Sequence, residues 1–240
     1  MQEINSFKKG LKDGIPICIG YFSVSFAFGI FAVESGLTVL QATLISLLNM
    51  TSAGQLAGVP IMANGTIMEL VLSQLVINSR YSLMSVSISQ KFSNKVNFFN
   101  KLIISFANTD EIFAVAHSNS GSVGKKYMYG LMILPIIGWT SGTFVGGIAG
   151  NILPAIVVSA LGLAIYGMFT AIVVPVAKKE KTTALCVVWA VFLSCCFRYI
   201  PALSIVPSGF TVIICAVVSS ILFAILAPIK EEESEETENG

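Results

Sequence analysis

Residues 127–177 read YMYGLMILPIIGWTSGTFVGGIAGNILPAIVVSALGLAIYGMFTAIVVPVA, and none of these 51 side chains carries a charge. A lipid hydrocarbon core takes about 20 apolar residues per helical crossing, so the stretch is long enough for two crossings. The turn formers Asn151 and Pro154 mark the break between them. The same pattern recurs on either side: residues 15–33, 37–68 and 199–229 are also free of Asp, Glu, Lys and Arg. Over all 240 residues, 55% are hydrophobic and 11% charged, with a mean hydropathy of +0.82. Soluble domains carry roughly 25% charged residues, so this chain lacks the polar surface that water requires. It reads as an all-α, polytopic integral membrane helix bundle whose first partner is the lipid bilayer.

The formal net charge of +1 does not identify a partner, because the charges are segregated along the chain, and no nucleic-acid partner is expected. Residues 1–229 read as one transmembrane domain. Residues 230–240, KEEESEETENG, form an acidic tail expected to be solvated and disordered. Five cysteines (18, 186, 195, 196 and 215) lie in apolar stretches with no CxxC spacing and read as small hydrophobes. Lys8, Lys9 and Lys12 precede a long apolar run without a small-residue cleavage site, which reads as a retained first helix.

Hydropathy divides the chain into apolar segments at 15–33, 40–63, 67–90, 102–117, 127–150, 155–176, 182–200 and 209–229. Eight crossings would place the three lysines of 91–101 outside, against the tendency of lysine to stay cytoplasmic. If 40–63 and the short 102–117 are broken or re-entrant, about six full crossings remain. All twelve lysines, the N-terminus and the C-terminus then lie on the cytoplasmic side. The alternative is seven or eight crossings. Segment 40–63 has its own reason to be irregular, because small and polar residues interrupt NMTSAGQLAGVP at 49–60 and Pro60 is expected to end it. Discontinuous helices of this kind build transporter binding sites.

Arg80 stands at the middle of its segment, with ten uncharged residues on each side. At a rise of about 1.5 Å per residue it is about 15 Å from either end, too far to snorkel easily. A central arginine carries an insertion penalty of about 2.5–3.5 kcal/mol, which a buried acid or a wet path must offset. A polar stripe shares its helix: Gln74, Asn78, Tyr81, Ser85 and Ser89 follow spacings of four, three, four and four. One reading is an ion pair that fixes helix packing; the other is a substrate or ion path. Gln55 stands between Gly54 and Gly58, a GxxxG that admits either a neighbouring helix or a ligand bound by Ser52 and Gln55. Gly138, Gly142, Gly146 and Gly150 recur every fourth residue and predict a groove for close helix contact. Arg198, near a segment end, reads as an interface anchor.

The adjacent acids Asp110 and Glu111 interrupt FANTDEIFAVAH at 106–117. Asn108 or Thr109 capping a helix, with acids complementing the dipole of its first turn, explains them structurally. One acid pairing with Arg80 or carrying a proton explains them functionally. The chemistry of an enzyme is not evident: a single histidine, His117, rules out HExxH, and neither GxSxG nor a P-loop occurs. No catalytic residue, metal site or cofactor is expected.

These residues together resemble the AzlC family, the large subunit of bacterial branched-chain amino acid exporters. The resemblance runs through GIPICIGYFSVSFAFGIFAVESGL (14–37), SAGQ (52–55), INSRYSL (77–83), NTDEIFA (108–114) and LGLAIYGMF (161–169). Where the family commonly has Asn-Leu-Arg-His, this chain has Asn78-Ser79-Arg80-Tyr81, keeping the Asn and Arg and replacing the histidine. The resemblance implies a multi-pass permease in the bacterial cell membrane that works with a small AzlD-like membrane subunit. It implies export of valine, leucine, isoleucine or analogues, driven by an ion gradient. The residues themselves give Ser52, Gly54, Gln55, Gly58, Asn78, Arg80, Thr109, Asp110 and Glu111 as candidates for substrate binding or coupling. Gln55 and the broken backbone near it would hold a zwitterion, Arg80 its carboxylate or an acid partner, and Asp110 or Glu111 would provide coupling. A non-transporting membrane scaffold or assembly subunit, or a permease for another small solute, is the alternative.

Overall fold

The computed structural model describes residues 4–150, 152–203 and 205–227, with only the backbone described at several positions between 155 and 172 and at 208. The acidic tail expected at 230–240 lies outside the described residues, as do most side chains of 161–169. The described chain is all-helical, and its ten helices run α1 (Phe7–Glu34), α2 (Val39–Leu48), α3 (Ser52–Asn64), α4 (Ile67–Lys91), α5 (Phe98–Phe106), α6 (Asp110–His117), α7 (Lys125–Gly150), α8 (Ala155–Lys179), α9 (Lys181–Tyr199) and α10 (Ser208–Leu226). Among the described residues the only extended pairing is a pair of isolated bridges, Ile4 and Phe92 each to Val123.

Six of these helices have 19 or more residues and coincide with the six segments expected to cross fully. Helices α1, α7, α9 and α10 are both long and apolar enough to cross a bilayer. At 25 residues α4 has the length, about 37 Å, but its Gln, Asn, Ser and Arg dilute its hydropathy. The expected irregular segments are each broken into two short helices, at Asn49–Thr51 and at Ala107–Thr109. In one respect segment 40–63 departs from expectation. Pro60 lies inside α3, which continues to Asn64. A proline nine positions into a helix removes a single backbone bond, a loss that membrane helices tolerate when neighbours re-satisfy the freed group.

Local chemistry fixes the helix ends. Thr38 with Gln41 and Thr66 with Glu69 form reciprocal capping boxes at the starts of α2 and α4. Helix α1 ends where Gly36 takes a left-handed φ of 97° and the amides of Ser35, Gly36 and Leu37 close onto Phe31, Val33 and Ala32.

The chain divides into two compact units within α8, between Ala171 and Ile172. In the first, α1 and α7 share the most extensive interface. Their glycines face each other's backbone. A Cβ on Gly138 would come 2.6 Å from the Cys18 carbonyl oxygen, and one on Gly14 would come 2.7 Å from that of Leu131; Gly10, Gly29, Gly130, Gly142 and Gly146 are tighter still. The groove expected from the spacing of Gly138, Gly142 and Gly146 is present, and α1 answers it with glycines of its own. Gly150 lies at ordinary contact distance, 3.4 Å from Ile30. A core of Ile17, Tyr21, Ile112, Ala116, Tyr127, Leu131 and Trp139 joins α1, α6 and α7. In the second unit, α9 and α10 pack together beside a cavity of about 610 Å³ lined by apolar residues including Trp189 and Phe223.

Candidate functional site

Helix α4 carries Arg80 at its centre, and the two helix breaks supply its surroundings. Arg80 Nη1 donates to Asp110 Oδ1 at 3.0 Å and stands 2.8 Å from Oδ2 in an ion pair. Its Nη2 donates to the Tyr81 hydroxyl at 3.0 Å, and the guanidinium lies 4.8 Å from the centre of that ring. The Tyr81 hydroxyl in turn donates to Thr51 Oγ1 at 3.4 Å. Thr51 is the N-cap of α3 and accepts from the Gly54 amide; Asp110 is the first residue of α6. The N-terminal ends of two short helices therefore converge on one Arg-Tyr pair. The ion pair is not sealed, since its side chains are 46% and 39% exposed.

Further along the same face, Gln74 Nε2 donates to the Gly54 carbonyl at 2.8 Å and Asn78 Nδ2 donates to Gln74 Oε1 at 3.2 Å. Asn108, in the second break, donates to Ser85 at 3.3 Å. Of the polar face expected on α4, Gln74, Tyr81 and Ser85 meet partners at or beside the breaks, whereas Asn78 bonds Gln74 and Ser89 bonds the Val86 carbonyl, both within their own helix. The physical reason is reciprocal. A helix break leaves backbone groups unpaired at membrane depth, and a polar helix needs cover from lipid.

Gln55 is almost wholly buried, and its amide nitrogen is already committed. It donates to the carbonyls of Asn49 at 2.5 Å and Ile45 at 3.3 Å, satisfying the C-terminal end of α2 across the break. Its Oε1 has no hydrogen-bond partner among the described residues; the same is true of Asn78 Oδ1 and Asn108 Oδ1. Buried amide oxygens without donors are rare in folded proteins and are the groups a bound ammonium would satisfy. Gly54 and Gly58 do not admit a second backbone, as a GxxxG can. They lie against the Gln74 side chain of α4, whose Oε1 would stand 2.6 Å from a Cβ on Gly54. Ser52 is half-buried at the start of α3.

The two acids separate. Asp110 turns to Arg80 on α4, whereas Glu111 accepts from the Tyr21 hydroxyl on α1. Tyr21 also meets Thr109 Oγ1 at 2.6 Å, and its ring stands edge-on to Trp139 with 5.3 Å between centres. Thr109 occupies the N-cap position of α6, as one of the expected capping residues, but makes no side-chain cap bond. Its hydroxyl is diverted to Tyr21. Helix start and cross-helix contact are thus both present. Tyr21 and Thr51 have no marking in the sequence beyond being polar atoms in apolar runs; Thr51 three residues before Gly54 could have been read as an N-cap.

Arg198 lies exposed in the last turn of α9, in the second unit. No cluster of metal-ligating side chains occurs among the described residues.

A bundle of long apolar helices, with an ion pair and hydrogen-bonding groups assembled at the middle of one of them by two broken helices, defines a multi-pass membrane protein with a polar centre. The chain belongs to the AzlC protein family, whose family model matches residues 16–153, from α1 through both breaks and α4 to the end of α7. An uncharacterized membrane protein of Archaeoglobus fulgidus is 32% identical over 180 residues, covering 74% of this chain and 79% of its own length. The inner membrane protein YgaZ of Escherichia coli is 27% identical over 191 residues, 76% of this chain and 77% of its own. An uncharacterized membrane protein of Helicobacter pylori is 26% identical over 156 residues, 62% and 68% respectively. No solved structure matches the chain.

Proposed function

We propose that the chain is the large subunit of a permease that exports branched-chain amino acids, working with a small AzlD-like membrane subunit and driven by an ion gradient. The observation that carries this reading is the half-open Arg80–Asp110 pair at the centre of α4, held between the N-terminal ends of α3 and α6. A scaffold has no use for an exposed ion pair in the middle of a long helix, where charge is expensive. A zwitterion does: its carboxylate matches the Arg80 guanidinium and the amides of a helix N-terminus. Its ammonium matches Asp110 and the free amide oxygens of Gln55 and Asn78. Binding then exchanges one ion pair for two, so the charges stay compensated with substrate absent or present.

The lysines of 8–12, 91–101, 125–126 and 178–181 support an orientation with these stretches on the cytoplasmic side of the cell membrane. The test is efflux of labelled leucine, isoleucine and valine from proteoliposomes holding this chain and the small subunit. Arg80→Ala is expected to abolish efflux while the two subunits still co-purify. Efflux unchanged by Arg80→Ala sinks the assignment of Arg80; absence of efflux for any neutral amino acid from the intact complex sinks the transport reading.

A further inference from the structure

The hydrogen bonds around Tyr21 do not close in a single fixed arrangement. Its phenolic oxygen is within hydrogen-bonding reach of both Thr109 Oγ1 and Glu111 Oε2, yet a phenol has one proton to donate. With Glu111 ionised, the carboxylate can only accept, so Tyr21 donates to Glu111 and accepts from the Thr109 hydroxyl. With Glu111 protonated, its own O–H donates to the Tyr21 oxygen, and Tyr21 turns its proton to Thr109. Both states use the same heavy-atom positions, and in both every contact is made. Asp110 has no such freedom, because both of its oxygens face the Arg80 Nη1 donor and a proton on either would oppose a cationic N–H.

We propose that Glu111 is the proton-binding residue of this site, that Tyr21 and Thr109 are positioning residues whose hydrogen bonds reverse with its state, and that Asp110 stays ionised as the counter-ion of Arg80. The step is a protonation: hydronium gives up one proton, an O–H bond forms on a Glu111 oxygen, and water leaves. This rests on the reading of the site as a translocation site, and it names the residue that couples it to a proton gradient. The titratable and charged groups facing α6 are Tyr21 from α1, Arg80 and Tyr81 from α4, and Tyr127 from α7, whose hydroxyl donates to Asp13 and accepts from Asn119. Asp110 and His117 stand on α6 itself, and Lys91 at the end of α4 donates to the His117 carbonyl. Of these, only Tyr21 bonds Glu111.

The reversal has a mechanical meaning because its two ends belong to different bodies. Tyr21 is fixed to the glycine-packed α1–α7 pair through Trp139. Thr109 and Glu111 begin α6, which the Arg80–Asp110 pair ties to α4. Proton binding therefore replaces a charge-assisted bond between α1 and α6 with neutral ones, which are about half as strong. It loosens α6 and α4 together against α1 and α7.

The test is a pH titration of the full-length protein, with its small subunit if needed, followed by the infrared band of protonated carboxyl groups, independent of transport. Wild-type protein is expected to show a titrating carboxyl that Glu111→Gln removes and Asp110→Asn retains. Tyr21→Phe keeps the ring against Trp139 but removes the donor to the carboxylate, so it should move the midpoint of that titration. If Asp110→Asn removes the band and Glu111→Gln keeps it, the assignment is overturned. Should Glu111→Gln not accumulate, Tyr21→Phe decides alone, and an unmoved midpoint overturns the proposal. In proteoliposomes, Glu111→Gln is expected to abolish the response of amino-acid transport to a pH gradient. Wild-type liposomes that exchange no amino acid would refute the transport reading and leave the titration to judge Glu111.

Discussion

Replacing Arg80 by alanine while Asp110 remains leaves a carboxylate without its counter-ion near the middle of α4. The Coulomb attraction of two unit charges about 4 Å apart is about 4 kcal/mol at an effective dielectric of about 20. The two side chains are 46% and 39% exposed, so screening wherever water reaches them lowers this ceiling, towards about 1 kcal/mol at a fully wet surface. An unpaired central charge in a membrane helix costs about 2.5–3.5 kcal/mol, which sets the scale for each single variant. Arg80→Ala and Asp110→Asn are thus each expected to destabilise the protein by about 2–3 kcal/mol. The double variant should lose little more than either alone, giving a coupling of about 2 kcal/mol in a double-mutant cycle. Unfolding in mixed micelles, followed by tryptophan fluorescence, measures all four corners. Additive single effects would refute the argument, because they would mean that water or another group already compensates each charge separately.

Other outcomes follow from the packing, the caps and the topology. Gly146→Ala places a Cβ against the Phe26 backbone of α1 and is expected to lower stability by about 1–3 kcal/mol. Gly20→Ala, which meets nothing within 4 Å, should be neutral or slightly stabilising in the same melt. Thr51→Val removes a working N-cap of α3 and is expected to cost about 1 kcal/mol. Thr109→Val removes no cap bond and should act through Tyr21, so in a Tyr21→Phe background it adds little; an undiminished effect there would contradict that. A cysteine at Lys95 should react with impermeant thiol reagents from the cytoplasmic face only, and labelling from outside would overturn the six-crossing orientation.

Much of this architecture is legible without coordinates because lipid imposes simple demands. Long uncharged runs must be helices, and the breaks at Glu34–Gly36, Asn64–Gly65, 151–154 and 201–207 are where turn chemistry places them. Arg80 and its polar face stand out for the same reason, since a charge at mid-span has to be compensated. What the sequence hides is direction. The spacing of Asp110 and Glu111 puts them 100° apart on a helix, yet only the packing shows that one turns to α4 and the other to α1. Tyr21 is invisible beforehand because a tyrosine in an apolar run is usually core. Gln55 looks like a ligand residue, but half of its amide serves the end of α2. The glycines of α7 announce a close helix, whereas the identity of that helix, α1, depends on more than a hundred intervening residues closing back.

Helix α4 and the two breaks cannot be understood apart. Alone, α4 is too polar to be counted among the chain's apolar spans, and an interrupted helix is too short to satisfy its own ends. Together they cancel: Gln74 takes the Gly54 carbonyl, Tyr81 reaches Thr51, Arg80 takes Asp110, and Ser85 meets Asn108. The first break precedes α4 in the chain and the second follows it, so half of this compensation exists only after residue 108 has been made. Arg80 is therefore synthesised before its counter-ion. A polar centre assembled in this order is held by mutual need rather than by apolar burial. That is why it can stay half-open in a protein whose α1–α7 contact is closed down to the backbone.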